Sequence, residues 1–89
     1  MINLMKVSFE IPVEILIKKT ETKYVGMFLE EYNDFIKISN TYIFRKYKFK
    51  NKKEWRYKGY NTSIRKKTIF SLNIIDNFKE YLEKNKMEN

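Results

Sequence analysis

The sequence predicts a small, mainly β domain: a barrel of five short strands with a long hairpin between the third and fourth strands, followed by a short C-terminal helix. Apolar residues alternate with a period of two over most of the chain. Gly26 interrupts a β-prone segment, where glycine usually marks a bulge, a bend or a close backbone approach. The period becomes helical only after Asp76. The 89 residues make one domain, with the barrel at about 11–75 and the helix at about 76–86.

The first two strands follow from alternation. Ile11, Val13, Ile15 and Ile17 share one face, which predicts a strand buried on one side. After a turn over residues 20–23, the β-prone residues 24–30 form the second strand. Gly26 lies in its middle, where a small barrel needs a bend, and Phe28 is assigned to the core.

The third and fourth strands form the predicted long hairpin. A tight connection over residues 32–34 leads into the third strand, in which Ile36 and Ile38 share a face. Alternation resumes over residues 41–50, where the outer half is predicted to be wet on one side. After a polar tip at residues 51–53, the fourth strand returns over Trp55–Tyr60.

The chain ends with a fifth strand and the helix. The fifth strand covers Thr68–Ile75, and its predicted inward side chains are Phe70, Leu72 and Ile74. Asp76 is the candidate N-cap of the helix. The apolar stripe of this helix comprises Ile75, Phe78, Tyr81 and Leu82.

Positive charge is concentrated in residues 42–67. This segment holds eleven Lys or Arg residues, including all three arginines, against one acid, Glu54, with seven aromatic residues interleaved. The whole chain carries only +8, so the remainder is slightly acidic. Cations neutralise phosphates, and exposed rings stack on unpaired bases. The segment therefore predicts a nucleic-acid partner, single-stranded RNA or DNA, with a solvated surface or an acidic protein partner as alternatives.

Catalysis has little support in the sequence. The chain has neither Cys nor His to act as nucleophile, base or metal ligand. Its carboxylates are scattered, and the adjacent Glu30 and Glu31 point to opposite faces of a strand. No apolar run approaches the ~20 residues of a membrane span. We therefore expect a cytoplasmic protein that is not an enzyme, uses no cofactor or metal and has no membrane partner.

Three segments resemble the small barrels of the Sm, Lsm and Hfq family. Residues 12–19 resemble the family's first strand. Residues 26–38 are similar to its first motif, in which a mid-strand glycine precedes an acid and a ring. Residues 64–69 are similar to its second motif, an arginine loop before the last strand, although Lys66 stands where the family has glycine. Hfq's histidine-containing form of this motif is absent. The resemblance covers residues 12–75.

This resemblance implies a fold and roles for individual residues. It implies an SH3-like barrel in which Phe35 occupies the position whose ring stacks on a base. Asn33 stands where the family usually has aspartate, and Arg65 would meet a neighbouring nucleotide. It also implies a homo-oligomer, because the fourth strand of one subunit, around Trp55–Tyr60, would pair head to tail with the last strand of the next and close a ring.

The candidate nucleic-acid-binding residues combine the basic and aromatic segment with the resembled motifs. For Trp55 the alternative is core filling, and for the run 65–67 it is a solubilising charge before an apolar strand. The candidates are Tyr32, Asn33, Phe35, Arg45, Lys46, Lys48, Lys50, Lys52, Lys53, Trp55, Arg56, Lys58, Arg65, Lys66 and Lys67.

A second class of function stays open at this point. The same basic surface suits a phage- or plasmid-type protein-interaction module that docks on an acidic surface of a nucleic-acid enzyme and inhibits or regulates it. Composition and fold do not separate the two.

Overall fold

A computed structural model describes residues 11–47 and 52–87, apart from the side chain of Asn40. The mainly β class and the short C-terminal helix are confirmed, and the described residues form six strands instead of five. A three-residue 3₁₀ turn, Lys66–Thr68, joins the last two strands. The elements are β1 (Ile11–Ile17), β2 (Lys23–Glu31), β3 (Phe35–Lys46), β4 (Lys53–Tyr57), β5 (Thr62–Arg65), β6 (Ile69–Ile74) and α1 (Phe78–Lys84).

All strand pairs are antiparallel, in the order β4-β3-β2-β1-β6, and β5 pairs with the first half of β3. The predicted fourth strand was wrong in its extent, since β4 ends at Tyr57 and β5 lies in the segment expected to be a loop. Gly59 explains the break, because its backbone has φ +70°. This left-handed conformation stops an extended strand. The returning chain therefore pairs with β3 in two pieces.

Gly26 lies at a bulge between β2 and β3, as its mid-strand position predicts. Val25 pairs with Tyr42 and Met27 pairs with Ser39, so β3 has one more residue than β2 between these pairs. A Cβ at Gly26 would lie 2.4 Å from the Ser39 carbonyl oxygen. Only glycine permits this approach. The extra residue shifts the alternation along β3, so Ile36 and Ile38 lie on one face of the sheet while Tyr42 and Phe44 lie on the other.

Two apolar clusters result, one on each face. The first consists of buried Val13, Ile15, Ile36, Ile38 and Ile64, with the half-buried Phe28 and Ile69 packed against it. The second, which α1 covers, consists of buried Val25, Tyr42, Ile75 and Met87, with half-buried Trp55, Phe78, Tyr81 and Leu82. The predicted stripe of the helix is thereby confirmed.

Helix α1 is capped by Asn77, so the prediction of Asp76 as N-cap was wrong. The Asn77 side chain accepts a hydrogen bond from the Glu80 backbone N–H at 3.0 Å. The first helical residue is Phe78, and the capping position therefore falls one residue later than expected. The Tyr81 hydroxyl donates to the Glu14 carboxylate at 2.6 Å and ties the helix to β1. Burial and this hydrogen bond raise the pKa of Tyr81 well above its usual range.

The burial predicted for Phe70, Leu72 and Ile74 in β6 was wrong, although Leu72 and Ile74 lie on the same face of the sheet as their core partners Ile15 and Val13. Phe70, Leu72 and Ile74 are 74%, 37% and 65% exposed. The pairing with β1 shifts register between Leu16 and Ile17, and Ile69 packs against the first cluster in place of Phe70. Alternation places side chains on one face of a strand, but β6 is an edge strand among the described strands, so most of Phe70 and Ile74 and about a third of Leu72 stay uncovered.

Candidate nucleic-acid interface

A cleft forms where the β2–β3 connection meets the corner between β5 and β6. Phe35 and Arg65 are directly opposite each other in the β3–β5 pairing. The Lys66 backbone N–H donates to the Asp34 carbonyl oxygen at 2.8 Å. These bonds join two segments predicted independently as site residues. The cleft, called here the Phe35–Arg65 cleft, has a volume of about 640 Å³ and is lined by Asn33, Asp34, Phe35, Ser63, Arg65, Lys66 and Lys67.

The charge in this cleft is mainly positive and partly uncompensated. Lys66 pairs with Glu31 through a 2.6 Å contact. Arg65 and Lys67 are exposed and form no ion pair with another described residue. The Asp34 carboxylate also lines the cleft and moderates its field. An anion can therefore reach at least two unpaired cations beside one acid.

An aromatic pair lies beside these cations. The Tyr32 and Phe35 rings stack with centroids 4.5 Å apart and an interplanar angle of 24°. Tyr32 is exposed and Phe35 is half-buried. A hydrogen bond involving Glu30 raises the pKa of the Tyr32 hydroxyl. The pair offers an aromatic surface next to the Phe35–Arg65 cleft.

A second depression, called here the Arg45 groove, continues from the cleft. It has a volume of about 530 Å³ and shares Ser63 and Arg65 with the cleft. Arg45 and Lys46, at the end of β3, line its far side, together with Thr20 and Thr22 from the β1–β2 turn. Arg65 therefore lies between two depressions that each contain further cations.

Three of the predicted cations, among them Arg45, surround Tyr47. Its ring centroid lies 3.9 Å from the guanidinium carbon of Arg56, 4.9 Å from that of Arg45 and 5.5 Å from Nζ of Lys58. Each distance allows a cation–π attraction. The buried Tyr47 hydroxyl donates to the Ile43 carbonyl oxygen at 3.1 Å, and burial raises its pKa against the opposing effect of Arg45 and Arg56. Tyr47 thus holds the basic side chains together, and its own ring is covered.

Other candidates lie away from the cleft. Trp55 is half-buried between Phe44 and Tyr81, at centroid distances of 4.9 Å and 6.5 Å, so much of its ring fills the second cluster. Lys53 pairs with Glu21 in the β1–β2 turn. Lys52 is exposed. Lys48 and Lys50 lie outside the described residues.

Two cleft residues were absent from the sequence prediction. Asp34 adjoins the predicted Asn33 and Phe35 but was assigned only to the turn. Ser63 lies two positions before Arg65 and so shares its face of β5. Recognising β5 as a strand would have placed Ser63 beside Arg65.

Comparison of the chain with protein-family models, curated proteins and solved structures found no match. Within residues 11–47 and 52–87, no group of three or more acidic, histidine or cysteine side chains is placed to hold a metal ion. In the same part of the chain, no helix has the length and apolar character needed to cross a bilayer.

Proposed function

We propose that this protein binds single-stranded RNA or DNA, without catalysis, along the Phe35–Arg65 cleft and the Arg45 groove. The observation that carries the proposal is the pairing of Phe35 with Arg65. Through it, a ring and a run of three cations from distant parts of the chain line one open cleft. Ring and cation side by side match the two chemical parts of a nucleotide, its base and its phosphate.

The charge distribution supports a polyanionic ligand. Residues 42–67 carry eleven cations and one acid, and Arg45, Lys46 and Arg65 line the Arg45 groove, which shares Arg65 with the cleft. A single strand that contacts about four to six phosphates would show a log–log salt slope near −3 to −4. Arginine also presents a planar fork that binds phosphate through two hydrogen bonds.

The aromatic pair favours single strands over duplex. Bases in a duplex already stack on each other, whereas an unpaired base gains about 1–3 kcal/mol by stacking on a protein ring. The half-buried Phe35 lines the cleft, and the exposed Tyr32 stacks on it. A base on this surface would place its phosphate within reach of Arg65 or Lys67.

Strand connectivity supports the finer proposal of an SH3-like barrel similar to the Sm family. β5 and β6 lie on opposite sides of β3, β2 and β1 in the pairing order. A flat sheet would separate them by about 19 Å, at ~4.8 Å per strand. The 3₁₀ turn that joins them has three residues, so the path from Arg65 to Ile69 takes four steps and spans only about 8 Å, at ~2.0 Å per residue. The sheet must therefore curl, as a small barrel does.

The test is a salt-titrated anisotropy assay with single-stranded RNA, single-stranded DNA and duplex DNA. The variant Arg65→Ala/Lys67→Ala removes the two unpaired cations of the cleft. The control Lys79→Ala/Lys84→Ala removes the same charge from exposed positions on α1. We expect the cleft variant to reduce the salt slope by about 1.4, at ~0.7 per phosphate. The control should change it much less.

If the two variants lose the same amount of salt slope, binding depends on the net charge of the protein and not on the cleft. Undetectable binding of all three nucleic acids at low salt would overturn the proposal. The acidic protein surface would then become the partner to seek, because the unpaired cations of the cleft would still need an anion.

A further inference from the structure

The outer edge of β6 differs from most sheet edges. Among the described strands β6 pairs only with β1, so one row of its backbone N–H and C=O groups faces away from the sheet. Natural edge strands usually carry charges, proline or bulges that discourage pairing. Ile69–Ile74 contains no charged residue and no proline. Its bulge lies at Phe70, where the pairing with β1 shifts register, and the residues from Ser71 to Ile74 pair regularly. Phe70, Leu72 and Ile74 are also exposed, so this edge is apolar and, within residues 11–47 and 52–87, unpaired.

We propose that β6 pairs antiparallel with β6 of a second copy, about a two-fold axis near Ser71 and Leu72, to form a dimer. Such an interface is isologous, since each copy contributes the same strand. A chain of net charge +8 repels its own copies over most approaches. The uncharged edge of β6 avoids that repulsion, whereas the edge strand β4 carries Lys53 and Arg56.

The ends of β6 are complementary in charge. Lys67 precedes the strand and Asp76 follows it, and both are exposed. Neither forms an ion pair with a described residue. Antiparallel pairing brings the beginning of one β6 beside the end of the other. Lys67 of each copy then lies near Asp76 of the other, which gives two symmetric ion pairs.

Leu72 and Ile74 of β6 lie on a face of the sheet that a second copy would enlarge. Leu72 and Ile74 are the pairing partners of Ile15 and Val13. Partners directly opposite each other in a ladder share a face. Leu72 and Ile74 therefore lie beside the first apolar cluster, at its uncovered margin. A second β6 would continue that surface and shield these side chains from water.

This arrangement differs from the head-to-tail ring that the sequence resemblance implies. In the ring, β6 pairs with β4 of the next subunit, which leaves Asp76 away from Lys67. In the dimer, Lys67 and Asp76 of different copies meet. The two assemblies therefore differ both in mass and in their response to exchanged charges.

The experiment measures molar mass by sedimentation velocity over a concentration series, without nucleic acid. We expect a monomer–dimer equilibrium. Lys67→Asp alone, or Asp76→Lys alone, replaces attraction by repulsion at both symmetric positions and should raise the dimer Kd about tenfold. The double exchange, Lys67→Asp/Asp76→Lys, should restore most of the affinity.

A second pair of variants tests the apolar edge. Ile74→Lys should abolish the dimer, while Leu29→Lys, at another exposed apolar position of 43% exposure, should leave it intact. Circular dichroism checks that each variant is folded. A monomer at every concentration would overturn the proposal. So would a larger ring that survives Ile74→Lys, or a double exchange that binds no better than the single ones.

Discussion

Replacing Gly26 by alanine tests the physical basis of the bulge between β2 and β3. The added Cβ would lie 2.4 Å from the Ser39 carbonyl oxygen and 3.3 Å from Cδ1 of Ile38. A flexible side chain could rotate away from such a contact, but a carbonyl held in a β-ladder can move only with its strand. We therefore expect β2 and β3 to separate locally and the fold to lose stability.

The size of the loss follows from two opposing effects. Overpacking of this kind costs about 1–3 kcal/mol. Replacing glycine by alanine also restricts the unfolded chain, which stabilises the fold by about 0.4–1 kcal/mol. At the upper end of the overpacking range, subtracting the second effect from the first leaves a net loss of about 2 kcal/mol in the free energy of unfolding. For a domain of this size, each kcal/mol lowers the melting temperature by about 4–8 °C, so a fall of roughly 8–16 °C is expected.

The assay is urea and thermal denaturation followed by circular dichroism, with amide NMR shifts as a local measure. Gly59→Ala is the matched control. Its cost, about 1–2 kcal/mol from the backbone at φ +70° with a further contact of 3.0 Å between the new Cβ and the Tyr57 ring, is local to Gly59, and amide shifts near Gly26 should not change. A Gly26→Ala protein that melts at or above the wild-type temperature would refute the steric reasoning.

Three further outcomes follow from the packing. Tyr81→Phe removes the hydrogen bond to Glu14 and should lower the free energy of unfolding by about 1.5–3 kcal/mol; an unchanged urea midpoint would contradict this. The pKa values of Tyr42, Tyr47 and Tyr81 are raised, with burial as the largest cause, so their contribution to stability is present below about pH 10 and lost as the pH rises above it. Urea midpoints between pH 8 and 11 measure that decline, and a midpoint that stays flat would contradict it. Phe70→Ser should change the free energy of unfolding by less than about 0.5 kcal/mol, since the ring is 74% exposed. Trp55→Ala should lower it by about 2–3 kcal/mol, because Trp55 belongs to a half-buried cluster. Equal losses in the two variants would show that the ring of Phe70 is also buried.

Local patterns in the sequence predict those elements that local physics decides. Alternation from Ile11 to Ile17 defines β1, and the glycine in β2 marks its bulge. The apolar stripe from Ile75 to Leu82 predicts which face of the helix packs. In each case the decisive property, periodicity or absence of a Cβ, belongs to the segment itself.

Features that depend on distant neighbours could not be predicted in this way. The exposure of Phe70 follows from the position of β6 at an edge, which no pattern within β6 reveals. The covering of Tyr47 by Arg56, Arg45 and Lys58 depends on how β3 and the chain after it meet. From the sequence, Trp55 is a candidate either for stacking on a base or for core filling, and its contacts with Phe44 and Tyr81 depend on how distant elements pack.

The candidate site could be predicted in part: most of its residues were identified from the sequence, but not their proximity. Arg65 and Phe35 entered the prediction separately, through charge and through resemblance to a family motif. Their meeting required β5, whose four residues are too few for a clear pattern. Because β5 was not recognised, Asp34 and Ser63, which line the same cleft, were not predicted.

The shortness of β5 has a consequence for how occupancy of the cleft could be observed. β5 has four residues and pairs only with β3 among the described strands. Short, singly paired segments usually open by local fluctuation, at a lower free energy than global unfolding. A ligand held by Arg65 and Phe35 binds only the closed form and must suppress that opening in proportion to its concentration. Amide hydrogens of β5 would then exchange more slowly as the cleft fills, so one small strand would report binding from within the fold.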